Sequence, residues 1–241
     1  MHCREIKSLF KNRQTKRMQS TKNYYPWKMS LPENFLICGS SGSGKSTFLE
    51  KLISTPSIWS STSPIQNVLY CYGIYTPTVE KFAKSRPDIS LIQGIPRNLS
   101  QPQEMFSASQ NNILIFDDLS SETQNSRDFT NMLIRGSRHC NCTLISLEHF
   151  LLSDSKERRL QSPHWHQMCL FKNQRCAHQI ASLAKQSAIG DPKLVQKAYF
   201  EATTPPHGYL ILDFRNETPA EMRLISNVFS ENSSPPVVWW V

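Results

Sequence analysis

The chain has 241 residues, 39% of them hydrophobic, which suffices for one sizeable core with appended tails and is cramped for two full domains. No stretch approaches the roughly 18 consecutive apolar residues of a membrane-spanning helix, and charges stand where a secretory signal has its apolar core, so an intracellular protein with no membrane partner is expected. Of the net charge of +8, residues 1–28 supply a surplus of seven: Arg4, Lys7, Lys11, Arg13, Lys16, Arg17, Lys22 and Lys28 stand against Glu5 alone.

Residues 1–28 therefore read as a basic, polar and aperiodic arm without a core of its own, suited to phosphate contact or nuclear import. A solvated tail with no partner is the plainer alternative. Seven cysteines, scattered through strand-like and loop-like stretches, read as reduced thiols and predict no disulfide. Cys140 and Cys142 with His139 and His149 lack the second knuckle that would complete a zinc site.

The folded domain is expected over 29–229, with 230–241 as a short tail ending in Pro235, Pro236 and an apolar run. Its first element is the buried-type strand Phe35, Leu36, Ile37, Cys38. Gly39, Ser40, Ser41, Gly42, Ser43, Gly44, Lys45, Ser46 and Thr47 follow, and then the helix-periodic Phe48, Leu49, Leu52 and Ile53. Strand, glycine loop and helix is the context a phosphate-binding P-loop, the Walker A element, requires. Positive φ at Gly39, Gly42 and Gly44 would bring successive N–H groups and the helix N-terminus around a β-phosphate. Lys45 would neutralise β- and γ-phosphate charge, and the Ser46 hydroxyl would bind Mg²⁺. ATP and Mg²⁺ are the cofactors expected.

Next come a strand at 67–72, a helix at 78–85 and a strand at 89–92. Asn112 to Leu119 is an apolar strand ending in two acids, the Walker B element, expected to lie beside the loop strand. Asp117 would hold Mg²⁺ through water, and Asp118 would orient or deprotonate the attacking water; the alternative for Asp118 is a helix cap. Helices at 126–136, 174–188 and 193–202 and strands at 142–147, 167–171 and 208–214 complete an α/β fold with a largely parallel central sheet flanked by helices. The Asn-Lys-x-Asp loop of GTPases is absent, and no Arg-rich lid supports a small-molecule kinase, which stays as an alternative.

Phe129 to Ile134, Arg135-Gly136-Ser137-Arg138-His139, Asn141 and the strand ending in Glu148-His149-Phe150 resemble the viral DNA-packaging ATPases of the FtsK/HerA superfamily, of the poxvirus-like and Polinton- or adintovirus-like kind. Tyr25-Pro26-Trp27, Arg159, Asn173-Gln174-Arg175, Gln179 to Gln186 and His207 to Asp213 extend the resemblance over about 25–229. It implies a RecA/FtsK-like ATPase that forms a ring, a hexamer in the family's pattern, and translocates double-stranded DNA without reading sequence. Capsid or portal proteins would be its partners, and the host nucleus or a viral assembly site its location. It also implies an arginine acting on the neighbour's γ-phosphate, with Arg135 and Arg138 the first candidates and Arg159 and Arg175 the second. The family usually has Gln where this chain has Glu148 and Asn where it has His164. An ionised Glu only accepts hydrogen bonds, so either Glu148 positions water as an acceptor or hydrolysis is impaired. Impaired hydrolysis would leave a nucleotide-dependent DNA-binding or assembly protein with weak turnover.

Overall fold

The computed structural model describes residues 16–19, 27–61, 63–86, 88–151, 155–174, 177–186, 189, 191–229 and 236–240. Short apolar runs, buried on both faces, become the central strands of its sheet. In chain order these are β1 (Lys16–Gln19), β2 (Asn34–Cys38), β3 (Asn67–Tyr72), β4 (Ile89–Gln93), β5 (Asn112–Asp117), β6 (Cys142–Glu148), β7 (Gln167–Phe171), β8 (Tyr209–Asp213), β9 (Leu224–Ser226) and β10 (Val237–Trp240). The helices are α1 (Lys45–Ser54), α2 (Pro77–Ser85), α3 (Ser120–Thr123), α4 (Arg127–Asn131), α5 (Lys156–Gln161), α6 (Ala177–Gln186) and α7 (Pro192–Ala202). Beyond α4 the chain continues through a π-helical turn, Met132–Gly136, and a last turn, Ser137–His139, before entering β6.

The strands form one sheet in the order β1-β10-β9-β8-β7-β2-β6-β5-β3-β4. From β7 to β4 all pairings are parallel, whereas β8, β9, β10 and β1 add an antiparallel flank. Largely parallel is therefore the right description of the centre. The acid-bearing β5 does not neighbour the loop strand β2, contrary to expectation, because β6 lies between them.

Alternation along each strand splits the core into two layers. Phe35, Ile37, Ile113, Ile115 and Ile145 face the layer that holds Phe48, Leu49 and Leu52 of α1 and Val79 and Phe82 of α2. Leu36, Leu114, Phe116 and Leu144 face the layer of Phe129, Met132, Ile180, Leu183, Val195 and Ala198 from α4, its continuation, α6 and α7. Truncating a fully buried ring such as Phe35 to Ala costs about 3–5 kcal/mol. The layer carrying α1 fixes where the glycine loop points.

Strand β1 falls within the arm expected to lack structure, and β10 within the expected tail. The two pair with each other, Lys16 opposite Trp240, and β10 also joins β9. Burial of Val238 and Trp239, together with main-chain pairing, holds this segment in the sheet. The sheet thus runs past both ends of 29–229, while residues 1–15, 20–26, 230–235 and 241 of the arm and tail lie outside the described residues. Among the described residues no helix is long and apolar enough to cross a membrane.

Candidate nucleotide-binding site

The loop turns over the carboxyl end of β2, where parallel strands leave their open edge. Gly39 N–H donates to Glu148 O at 3.1 Å, and Ser43 N–H donates back to Ser40 O at 3.2 Å. Positive φ occurs at Gly42 and Gly44, not at Gly39 as expected. Gly39 is required for a different reason: a Cβ there would stand 2.6 Å from Phe171 Cβ. Gly44 combines both demands, with φ 110° and a Cβ position 3.3 Å from His207 and Phe171.

Lys45 opens α1 and folds back across the loop, its Nζ donating to Gly39 O at 2.8 Å and Ser40 O at 3.1 Å. Burial pulls the ammonium below its usual range, opposed by the charges of Asp117, Asp118 and Glu148 among others. The Ser43 hydroxyl is buried without a hydrogen-bond partner. A buried cation held by carbonyls and an orphaned hydroxyl in a ring of backbone fit an anionic oxygen-rich ligand. Ser46, half-buried in the first turn of α1, and Asp117 supply the oxygen donors that a hard divalent cation takes.

Asp117 ends β5 on the same face of the sheet as α1, and Tyr70 Oη donates to its Oδ2 at 2.6 Å. Burial pushes the Asp117 carboxyl up, while the Tyr70 hydrogen bond, Lys45 and His149 pull it down. Burial, then Asp117, also push the Tyr70 phenol up. Asp118 turns the chain with φ 57°, and its Oδ1 lies 3.5 Å from His149 Nε2. The structure thus brings Lys45, Asp117, Asp118 and His149 together at one edge. Tyr70 and His149 were not expected in these roles; the only sequence signal for Tyr70 is its place in a strand whose alternation puts it on the Asp117 face.

Glu148 departs from its expected position. It is 2% exposed and turns to the other face, where its Oε1 accepts from Ser146 Oγ at 2.8 Å and pairs with Arg158 Nη1 at 3.4 Å. Arg158 Nη2 also donates to Phe150 O at 3.2 Å. Thr123 approaches the same carboxylate, and Gln161 ties Thr123 to Thr130, so α3, α4 and α5 share one buried polar network. Arg159, singled out from sequence, is exposed on α5, whereas its neighbour Arg158 is the buried partner.

Arg135 and Arg138 lie at the turn that precedes β6, both exposed, with Arg135 Nη2 donating to Asn131 Oδ1 at 3.3 Å. A seven-residue strand at about 3.3 Å per residue separates that turn from the loop edge, so neither reaches its own chain's glycine loop. Arg138 instead acts electrostatically on His164 and His166. Arg175 lies outside the described residues. Beside the loop opens a cleft of about 920 Å³, bordered by Ser40, Ser43, His149, Lys172, Asn173 and Pro206 among others.

A glycine loop between β2 and α1, a parallel sheet in the order β2-β6-β5 and an acid, Asp117, ending β5 with a second, Asp118, directly after it define the P-loop NTPase fold. No family model and no curated protein matches the chain. Solved structures do match. The genome packaging NTPase B204 from Sulfolobus turreted icosahedral virus 2, in complex with ATP-gammaS, is 14% identical at a TM-score of 0.51, the match covering 77% of this chain and 94% of that one. The same protein in complex with AMPPCP is 13% identical, with a TM-score of 0.50 and coverage of 78% and 95%. B204, the DNA-packaging ATPase from Sulfolobus Turreted Icosahedral Virus, is 12% identical, with a TM-score of 0.50 and coverage of 78% and 95%. At these identities the likeness is one of fold.

Proposed function

We propose that the chain is an ATPase that translocates double-stranded DNA as a homo-oligomeric ring, a hexamer, and packages a viral genome into a capsid. The observation that carries the nucleotide reading is the glycine loop between β2 and α1, with Lys45 Nζ folded onto its Gly39 and Ser40 carbonyls and Asp117 held by Tyr70 at the end of β5 on the α1 face of the sheet. The motor reading draws on the fold likeness to B204, whose described role is genome packaging, and on the basic arm.

In this reading the amides of 39–47 cradle the phosphates, and Lys45 leaves the Gly39 and Ser40 carbonyls to meet β- and γ-phosphate oxygens. Ser46 and Asp117 would hold Mg²⁺, which when bound spreads the negative charge of the phosphates. Tyr70 keeps the Asp117 carboxylate aimed from the α1 face. Asp118, steadied by His149, accepts the proton of the attacking water. Arg135 and Arg138 serve the neighbouring subunit's γ-phosphate, since their own loop is out of reach. Phosphate-backbone contacts give sequence-independent, salt-sensitive DNA binding.

One observation favours the second reading, a nucleotide-dependent DNA-binding or assembly protein with weak turnover. Glu148 is committed to Arg158 and Ser146 on the far face instead of reaching toward the loop. The deciding measurement is ATP turnover of the wild type, Lys45→Ala and Asp118→Asn, with and without duplex DNA. The motor requires wild-type turnover that rises with DNA and falls to background in both variants; background rates in all three leave only the second reading. Negative-stain images with a non-hydrolysable ATP analogue should show rings, and monomers would sink the motor.

A further inference from the structure

A second, smaller pocket of about 340 Å³ adjoins the glycine loop at Gly44 and Thr47, beside the first turn of α1. Its floor is aromatic. Phe48 packs edge-on against Tyr209 and Phe229 at centroid distances of 4.9 and 5.1 Å, and Phe171 lies 5.5 Å from Tyr209. Its rim is polar, supplied by Thr47, Lys51, His207 and Asn227. We infer that this pocket takes the nucleoside end of the nucleotide, with a purine base stacked on the Tyr209 and Phe229 side, and that His207 ties the base site to the phosphate loop. The inference rests on the reading of 39–47 as a phosphate cradle and says where the rest of the ligand goes.

Three observations converge on it. The first is direction: phosphates that follow the amides from Gly42 into α1 leave the cradle past Thr47, and the pocket opens there. The second is backbone strain. Among the described residues four non-glycine positions have positive φ, and two of them, His207 at 58° and Asn227 at 54°, stand on the rim of this pocket, where it meets a neighbouring cavity of about 310 Å³ that both also border. Such conformations persist where the surroundings fix them, and they gather at ligand clamps. The third is a contact: His207 Nδ1 lies 3.2 Å from Ser43 O, so the rim touches the loop that the phosphates would occupy.

Size and chemistry separate this pocket from the larger cleft. At about 340 Å³ it sits at the small end of the ligand-site range of roughly 300–1,000 Å³, fit for a nucleoside and too small for a whole nucleoside triphosphate. The cleft of about 920 Å³ is bordered by loop serines, His149, Lys172, Asn173 and prolines, and Phe150 is the one phenyl or phenol ring on its border, against four in the smaller pocket. A base with two π-faces gains most where rings already line the wall. The Asn227 amide both donates and accepts, which matches the mixed edge of a purine, and a pyrimidine covers less of the floor.

Calorimetry with three probes in Mg²⁺ buffer, ATP, CTP and inorganic triphosphate, tests the assignment on the full chain. Wild type should bind ATP about tenfold more tightly than CTP or triphosphate. Asn227→Gly keeps the backbone conformation while removing the amide, and should lose most of that ATP advantage with its triphosphate affinity unchanged. Photolabelling with 8-azido-ATP should mark peptides containing Tyr209 or Phe229. Equal affinity of wild type for ATP and triphosphate, equal loss of both probes in Asn227→Gly, or labelling confined to 172–174 overturns the nucleoside assignment and leaves the phosphate cradle standing. Absence of binding by all three probes overturns the cradle and the assignment together.

Discussion

The Arg158 guanidinium lies 3.4 Å from the Glu148 carboxylate, and the two side chains are only 5% and 3% exposed. A buried ion pair of this kind is costly to break from one side, because the remaining charge keeps its desolvation penalty without its partner. It also fixes where Glu148 points, at the end of the strand that separates the glycine loop from the acid pair.

Arg158→Met should therefore destabilise the fold by about 3 kcal/mol, read from the urea midpoint, because it strands the Glu148 carboxylate. The double variant Glu148→Gln with Arg158→Met should recover more than half of that loss. Additive losses would show that the two residues do not depend on each other.

Asp117→Asn should stabilise the protein in the absence of nucleotide. Burial raises the carboxyl's folded-state pKa above its ordinary value of 3.8. Such a group favours the fold below its unfolded pKa, and that contribution is lost as pH rises through the raised value. Asparagine avoids the loss and still accepts from Tyr70. Thermal midpoints of variant and wild type should thus diverge at pH 7 and converge near pH 3, while Mg²⁺-dependent ATP affinity of the variant falls. Equal midpoints at pH 7 would contradict the buried, ionised carboxylate.

Alanine at the two positive-φ loop glycines should rank by space. Gly42→Ala meets nothing within 4 Å and bears only the cost of a left-handed residue, about 1 kcal/mol. Gly44→Ala adds contacts at 3.3 Å with His207 and Phe171, for about 2–3 kcal/mol in total. Denaturant midpoints in the reverse order would refute the loop geometry.

An arginine that serves a neighbour leaves a signature in mixtures. Arg135→Ala or Arg138→Ala should lose turnover and keep ATP binding, and adding variant to wild type should depress the rate below simple dilution. A rate that follows dilution would remove that residue from the trans role.

The loop, the acid pair and most strands were legible because they are local: the glycine spacing, an apolar run ending in Asp117-Asp118 and short apolar blocks each write their geometry within a dozen residues. Helix positions held where the residues are described: Ala177–Gln186 lies within the expected 174–188, and 193–202 became Pro192–Ala202. Strands β1, β9 and β10 were missed because short or basic segments gain strand character only from the partner they pair with.

Sequence alone determined that residues 39–47 form a glycine loop between a strand and a helix, since glycine, lysine and hydroxyl spacing is a property of neighbours along the chain. Only the tertiary structure decided that β6 separates the loop strand from the acid strand, that Glu148 turns to Arg158, that Arg135 and Arg138 stand a strand's length from their own loop, and that His207, 164 residues beyond Ser43, touches it. Those facts depend on strand order and on which face each side chain takes, and both are set by long-range pairing and burial that no local spacing records.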